Sequence, residues 1–171
     1  VTPRSTVASG NRFYDGTNLV QGNIFDSFTN TVGSDTVTLS GTGTINSTGV
    51  GSKSVTIGSL TSAHPNYLLT GASMNVTKRP LNLTGSRVPE RNPSLIVLAN
   101  ELSMSTLGGE TLTLSGFGSI PRNRPGTIQN ISLGTLAFAN GSGGLASNYT
   151  FSGGTFIMIL RHKLTFVQRI R

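Results

Sequence analysis

The sequence has no cysteine, no tryptophan and few charges. Without cysteine there is neither a disulfide framework nor a thiolate metal site, so stability must come from hydrogen-bonded structure and a hydrophobic core. Charged residues make up 11% of the 171 positions and hydrophobic residues 35%, both below the usual globular share. Acids are the scarcest group: Asp15, Asp26, Asp35, Glu90, Glu101 and Glu110, alongside two histidines, His64 and His162. Catalysis needs titratable groups that converge, and this supply is thin. No His-x-x-x-His or Glu-x-x-His spacing offers a zinc site, no Gly-x-Ser-x-Gly forms a nucleophile elbow, and no glycine loop ends in Gly-Lys-Ser/Thr. The expectation is a protein that is not an enzyme and takes no cofactor and no metal. Asp15, Asp26 and Asp35 fall in loops, but calcium wants six or more oxygens at defined positions, and these acids have no such spacing.

No apolar run is longer than the five of residues 156–160, far short of a bilayer span. No secretory leader follows Val1, so the chain reads as a piece of something longer. The net charge is +7, but Arg161, Lys163, Arg169 and Arg171 crowd the last eleven positions. Aromatic residues are 6% and do not interleave with basic ones, so nucleic acid is not an expected partner.

What is abundant is Gly, Ser, Thr and Asn, arranged as short alternating segments between turns. Val37 and Leu39, then Val55 and Ile57, are spaced for one face of a strand, with Thr and Ser on the other. This pattern returns. Gly33-Ser34-Asp35-Thr36-Val37-Thr38-Leu39-Ser40-Gly41 reappears as Gly108-Gly109-Glu110-Thr111-Leu112-Thr113-Leu114-Ser115-Gly116, an offset of 75. Gly10-Asn11-Arg12-Phe13 matches Gly85-Ser86-Arg87-Val88 at the same offset. Asn66-Tyr67 matches Asn148-Tyr149 at an offset of 82, which implies a seven-residue insertion, best placed in the Gly-rich loop at residues 140–144. Arg161-His162-Lys163-Leu164 echoes Lys78-Arg79-Pro80-Leu81. The expected organisation is a β unit over residues 1–77, a second over 78–159, and the start of a third unit or a basic tail over 160–171.

The expected fold class is all-β: two tandem small antiparallel domains, each an immunoglobulin-like sandwich, with a β-grasp as the alternative. The sandwich rests on a strand, a corner and the Asn66-Tyr67 that opens the next strand, a pattern like a tyrosine corner. The β-grasp rests on a weak helical stretch at residues 93–107. Asp15 is expected to bond its own turn, with Gly16 at positive φ. Tyr67 and Tyr149 are expected to pack their rings and bond through their hydroxyls. Sequons stand at Asn46, Asn75, Asn82, Asn130, Asn140 and Asn148.

The first unit carries Arg12-Phe13-Tyr14-Asp15-Gly16-Thr17, the later Gly33-Ser34-Asp35-Thr36-Val37-Thr38-Leu39 strand and the Asn66-Tyr67 corner. These residues resemble the Tyr-Asp-Gly (YDG) repeat domain of filamentous-haemagglutinin-like bacterial exoproteins. The second unit departs from the motif, with Pro89-Glu90-Arg91-Asn92 in place of Tyr-Asp-Gly-Thr. The resemblance implies a secreted or cell-surface protein of a Gram-negative bacterium, a monomer whose partners are neighbouring repeats of a longer chain. The implied role is a non-catalytic spacer in an adhesin. A rival expectation is a module that binds host glycan or matrix through end loops. Its best residues are Arg122 and Arg124 in Pro121-Arg122-Asn123-Arg124-Pro125, a cationic knob between two prolines suited to sulfate or carboxylate.

Overall fold

The computed structural model describes residues 2–88 and 94–159. The echo of a third unit at 160–171, and Pro89-Glu90-Arg91-Asn92, lie outside the described residues. The chain is all-β, and its only helical pieces among the described residues are three-residue 3-10 turns. It divides into two compact units: Val1–Arg79 with Ser147–Thr150, and Pro80–Ala146 with Phe151–Arg171. The main division thus falls two residues past the boundary expected from sequence.

In the first unit the strands run β1 (Arg4–Phe13), β2 (Leu19–Gln21), β3 (Phe25–Phe28), β4 (Leu39–Ser40), β5 (Thr42–Ile45), β6 (Gly51–Thr56), β7 (Thr61–Ser62) and β8 (Tyr67–Thr77). A 3-10 turn at Gly22–Ile24 joins β2 to β3. Six strands form one sheet in the order β2-β5-β6-β8-β1-β3, while β4 and β7 pair as a short ribbon. The expected antiparallel pairing holds for each of these neighbours except β8 with β1. There β1 and β8 run parallel, in register from Arg4↔Tyr67 to Phe13↔Thr77, with one bulge between Thr6 and Val7. Parallel neighbours demand a long crossover, and here the rest of the unit is that crossover. Alternation sets the faces: Thr6, Ala8 and Gly10 of β1 point inward with Tyr67, Leu69, Met74 and Val76 of β8, while Ser5, Val7, Ser9 and Asn11 face out.

The second unit repeats the element order. Its strands are β9 (Arg79–Arg87), β10 (Ile96–Leu98), β11 (Leu102–Met104), β12 (Leu112–Ser115), β13 (Phe117–Ser119), β14 (Ile128–Asn130), β15 (Ala137–Asn140) and β16 (Tyr149–Met158). A 3-10 turn at Ala99–Glu101 joins β10 to β11. The stretch expected to hold a helical turn is therefore, where described, strand, 3-10 turn and strand. The pairs β10-β13 and β11-β9-β16-β14, joined by the Ser119↔Ser132 bridge, reproduce the order of the first sheet. Asn82 Oδ1 accepts from Ser152 Oγ, and the Arg87 carbonyl accepts the Ile159 N–H, so β9 and β16 also run the same way. The ribbon β12–β15 brings Leu114 and Phe138 onto a core of Leu83, Val97, Ile120, Ile131, Leu136, Phe156 and Met158.

Counterparts face the same neighbours. Gly10 and Gly85 lie under the carbonyls of Ile24 and Glu101, and Gly43 and Gly118 under those of Thr56 and Ser132. The spacing is 75 at Gly10/Gly85, 76 at Leu60/Leu136 and 82 at Tyr67/Tyr149. Six of the seven inserted residues thus fall between Leu136 and Tyr149, where the Gly-rich loop lies. Core volume is conserved by exchange rather than identity. Ala8 and Ala72 of the first unit become Leu83 and Gly154, and a Cβ on Gly154 would sit 2.9 Å from Leu83 Cβ and 3.0 Å from Ile131 Cδ1. Phe25 and Met74 become Leu102 and Phe156, moving the aromatic ring from the third strand of the unit to the last.

Candidate functional site

The Tyr-Asp-Gly motif closes the loop between β1 and β2. Gly16 has φ 74°, a conformation that costs glycine little. Asp15 Oδ1 accepts the Thr17 N–H and the Thr17 hydroxyl, each at 3.0 Å, an Asx-type turn. Arg12 binds this turn from the side. Its Nη1 reaches Asp15 Oδ2 at 3.1 Å and the Leu19 carbonyl at 2.7 Å, and its Nη2 the Thr17 carbonyl at 2.5 Å. The guanidinium is largely buried, and its Nε has no partner. Tyr14 is 5% exposed and meets Tyr149 edge-on at 5.5 Å.

The second unit keeps the arginine and moves the acid. Arg87 Nη1 donates to the Ile96 carbonyl at 2.8 Å and Nη2 to the Ser94 carbonyl, matching the bonds of Arg12 to Leu19 and Thr17. Its carboxylate partner is Glu101, at 3.3 Å through both oxygens, from the 3-10 turn rather than the loop. Glu101 Oε2 also accepts the Leu98 N–H. Arg87 further lies over the Phe156 ring, 5.6 Å from its centroid. The loss of Asp from the second motif is thus compensated through space. What both units retain is an arginine clasping two loop carbonyls, a signal that Arg12 and Arg87 carried in the sequence at the shared offset of 75.

Tyr67 departs from the tyrosine corner of an immunoglobulin domain, whose hydroxyl bonds backbone a few residues upstream. Here the hydroxyl donates to Asp35 Oδ2 at 2.7 Å and accepts the Val32 N–H at 2.9 Å, more than thirty residues back. The bond to Asp35 raises its pKa above the ordinary tyrosine value, because ionisation would remove the donor and face one anion with another. His64 is half-buried; its ring stands edge-on to Tyr67 at 5.0 Å and its Nδ1 accepts the Asn66 N–H. The Asn66 carbonyl takes the Arg4 N–H, which starts the β1–β8 ladder. Glu110 repeats the turn of Asp35: each donates its N–H to a carbonyl three residues back, Leu107 and Val32 respectively, at 3.0 Å. Asn148 is buried, with Oδ1 on the Val50 N–H, unlike the exposed sequon asparagines Asn46, Asn75, Asn82, Asn130 and Asn140.

Arg122 and Arg124 stand on the exposed loop between β13 and β14. Gln129 Oε1 accepts the Arg122 N–H at 3.1 Å, while Gln129 Nε2 is buried without a partner. An unpaired buried donor costs roughly 1–3 kcal/mol, so the anchor of this loop is held at an energetic loss.

Among the described acids, no more than two line any one groove. Asp26 and Asp35 line one shallow groove of about 300 Å³ with Phe25, Phe28 and Val37, and Asp15 is held apart by Arg12. A groove of about 390 Å³ occupies the equivalent place in the second unit, lined by Leu102, Ser103, Thr106, Glu110 and Leu112. A further groove of about 520 Å³ on β9, β14 and β16 is lined by Asn82, Thr84, Asn130, Ser152 and Thr155, and none of its lining residues titrates near neutral pH. No group of three or more His, Cys, Asp or Glu that could hold a metal forms among the described residues. No described helix is long and apolar enough to cross a membrane.

These features describe an all-β module organised by an arginine-clasped turn and a buried tyrosine. Residues 1–75 match the family model of the YDG domain. No curated protein and no solved structure matches the chain.

Proposed function

We propose that these units are load-bearing spacers in the stalk of a secreted bacterial surface adhesin, without catalytic activity. The match of residues 1–75 to the YDG domain model and the resemblance of the motif to filamentous-haemagglutinin-like exoproteins support the setting. The observation that carries the reading is the parallel pairing of each unit's first and last strands, β1 with β8 and β9 with β16. When the two ends of such a unit are drawn apart, the parallel pair is loaded along the strands. Its hydrogen bonds then resist in shear and must fail together, whereas an antiparallel terminal pair would unzip one bond at a time. A stalk that keeps its length under tension needs this arrangement.

Force spectroscopy on the chain held by its ends tests the reading, and the lack of native cysteine lets introduced thiols serve as unique handles. Two discrete steps are expected, lengthening the chain by roughly 230 Å and 255 Å at the reach of an extended chain. Handles placed to peel β3 from β1 should unfold the first unit at much lower force. Equal forces in the two geometries would remove the mechanical argument.

The binding reading has one observation in its favour: Arg122 and Arg124 are exposed and form no ion pair with any described residue.

A further inference from the structure

The loop at residues 121–125 is unlike its counterpart. In the first unit the corresponding hairpin, residues 46–51, contains Asn, Ser, Thr, Gly and Val and no charge. In the second it holds two arginines in three positions, between prolines that fix φ on either side. The loop is also pinned. Arg122 donates its N–H to Gln129 Oε1, the Arg124 carbonyl accepts the Thr127 hydroxyl at 2.8 Å, and the next glycine, Gly126, donates its N–H to the Met158 carbonyl at 2.7 Å. Both loop arginines are therefore carried on anchored backbone, while the one other arginine described between Pro80 and Ile159, Arg87, is clasped by two carbonyls and Glu101. Gln129 keeps its amide nitrogen buried and unpaired while its oxygen holds Arg122. An apolar side chain would avoid that loss, and the loop would then lose its anchor.

We infer that this loop is an oxyanion site, in which Arg122 and Arg124 hold sulfate or carboxylate groups of an acidic polysaccharide and Gln129 is a positioning residue. A guanidinium offers a planar fork that meets both anions in two parallel bonds. A loop backbone anchored in advance leaves only the two side chains to order on binding. The inference rests on the binding reading and is independent of the load-bearing one, whose test involves no ligand.

The experiment uses the full chain with dextran sulfate, polygalacturonate and unsubstituted dextran, binding being measured at low and at physiological salt. Dextran sulfate or polygalacturonate should bind, dextran should not, and the two charged arms tell sulfate from carboxylate. R122A/R124A should weaken binding at least about tenfold, a loss of about 1.4 kcal/mol. R122K/R124K should restore only part of it. Q129L should weaken binding while leaving the circular dichroism spectrum unchanged, a result that loss of fold would not give. R4A/K78A removes the same charge from exposed positions elsewhere and should change little. The inference is overturned if R4A/K78A costs as much as R122A/R124A, if lysine serves as well as arginine, if Q129L binds like the parent chain, or if dextran binds equally.

Discussion

At the scale of single residues, the two units show which part of a motif does the structural work. The acid of the Tyr-Asp-Gly turn is replaceable, because Glu101 reaches Arg87 from another element. The arginine is kept in both units, where its forked donors reach two carbonyls of the following segment. Arg12→Ala should cost about 1.5–3 kcal/mol of stability, since it removes charge-assisted bonds to Asp15 and to two carbonyls. Asp15→Ala should cost about 1 kcal/mol, as its carboxylate is partly exposed and the arginine keeps its carbonyls. Chemical denaturation of the two variants checks the order, and a larger loss for D15A would reverse the assignment. Tyr67 makes a pH prediction. Its pKa is raised in the folded state by the bond to Asp35. Its contribution is therefore complete below the unfolded tyrosine pKa, near 10, and is lost as pH rises through the higher folded value. The fall in stability on going from neutral to strongly alkaline pH should be smaller in Tyr67→Phe than in the parent chain. An identical fall in both would remove the role of this hydroxyl.

At the scale of elements, the strands of the two units solve one packing problem with different side chains. Leu83 fills space that Ala8 leaves to its neighbours, and Gly154 makes room for it where the first unit has Ala72. Gly154→Ala alone should destabilise by about 1–3 kcal/mol through overpacking. Leu83→Ala alone should cost about 2–4 kcal/mol through the cavity it leaves. The double variant restores the first unit's pair, so it should cost less than the two losses combined by at least about 1 kcal/mol. Simple additivity in a double-mutant cycle would show that the exchange is not coupled.

At the scale of the whole chain, each unit has its own core and its own parallel pair of first and last strands. Leu83→Ala should shift the unfolding of the second unit and leave the alkaline response of Tyr67 in the first unaltered. Following fluorescence of the tyrosines alongside far-UV circular dichroism separates the two. A single shift common to both signals would mean that the units unfold as one.

Much of this was legible in the chain. Alternation of apolar with Ser and Thr determined the all-β class, because a period of two places a residue in or out whichever strand lies beside it. The recurrence at an offset of 75 determined the two units, and Asp15-Gly16-Thr17 its own turn, since those bonds span two or three residues. The tertiary structure alone decided who neighbours whom. Alternation records which face is buried and not where the backbone N–H of a strand finds its acceptor, so the parallel β1–β8 pair was invisible and the antiparallel expectation failed there. The same holds for Tyr67 with Asp35 and Arg87 with Glu101, pairs that are distant along the chain and meet only because the sheet brings their loops to one place.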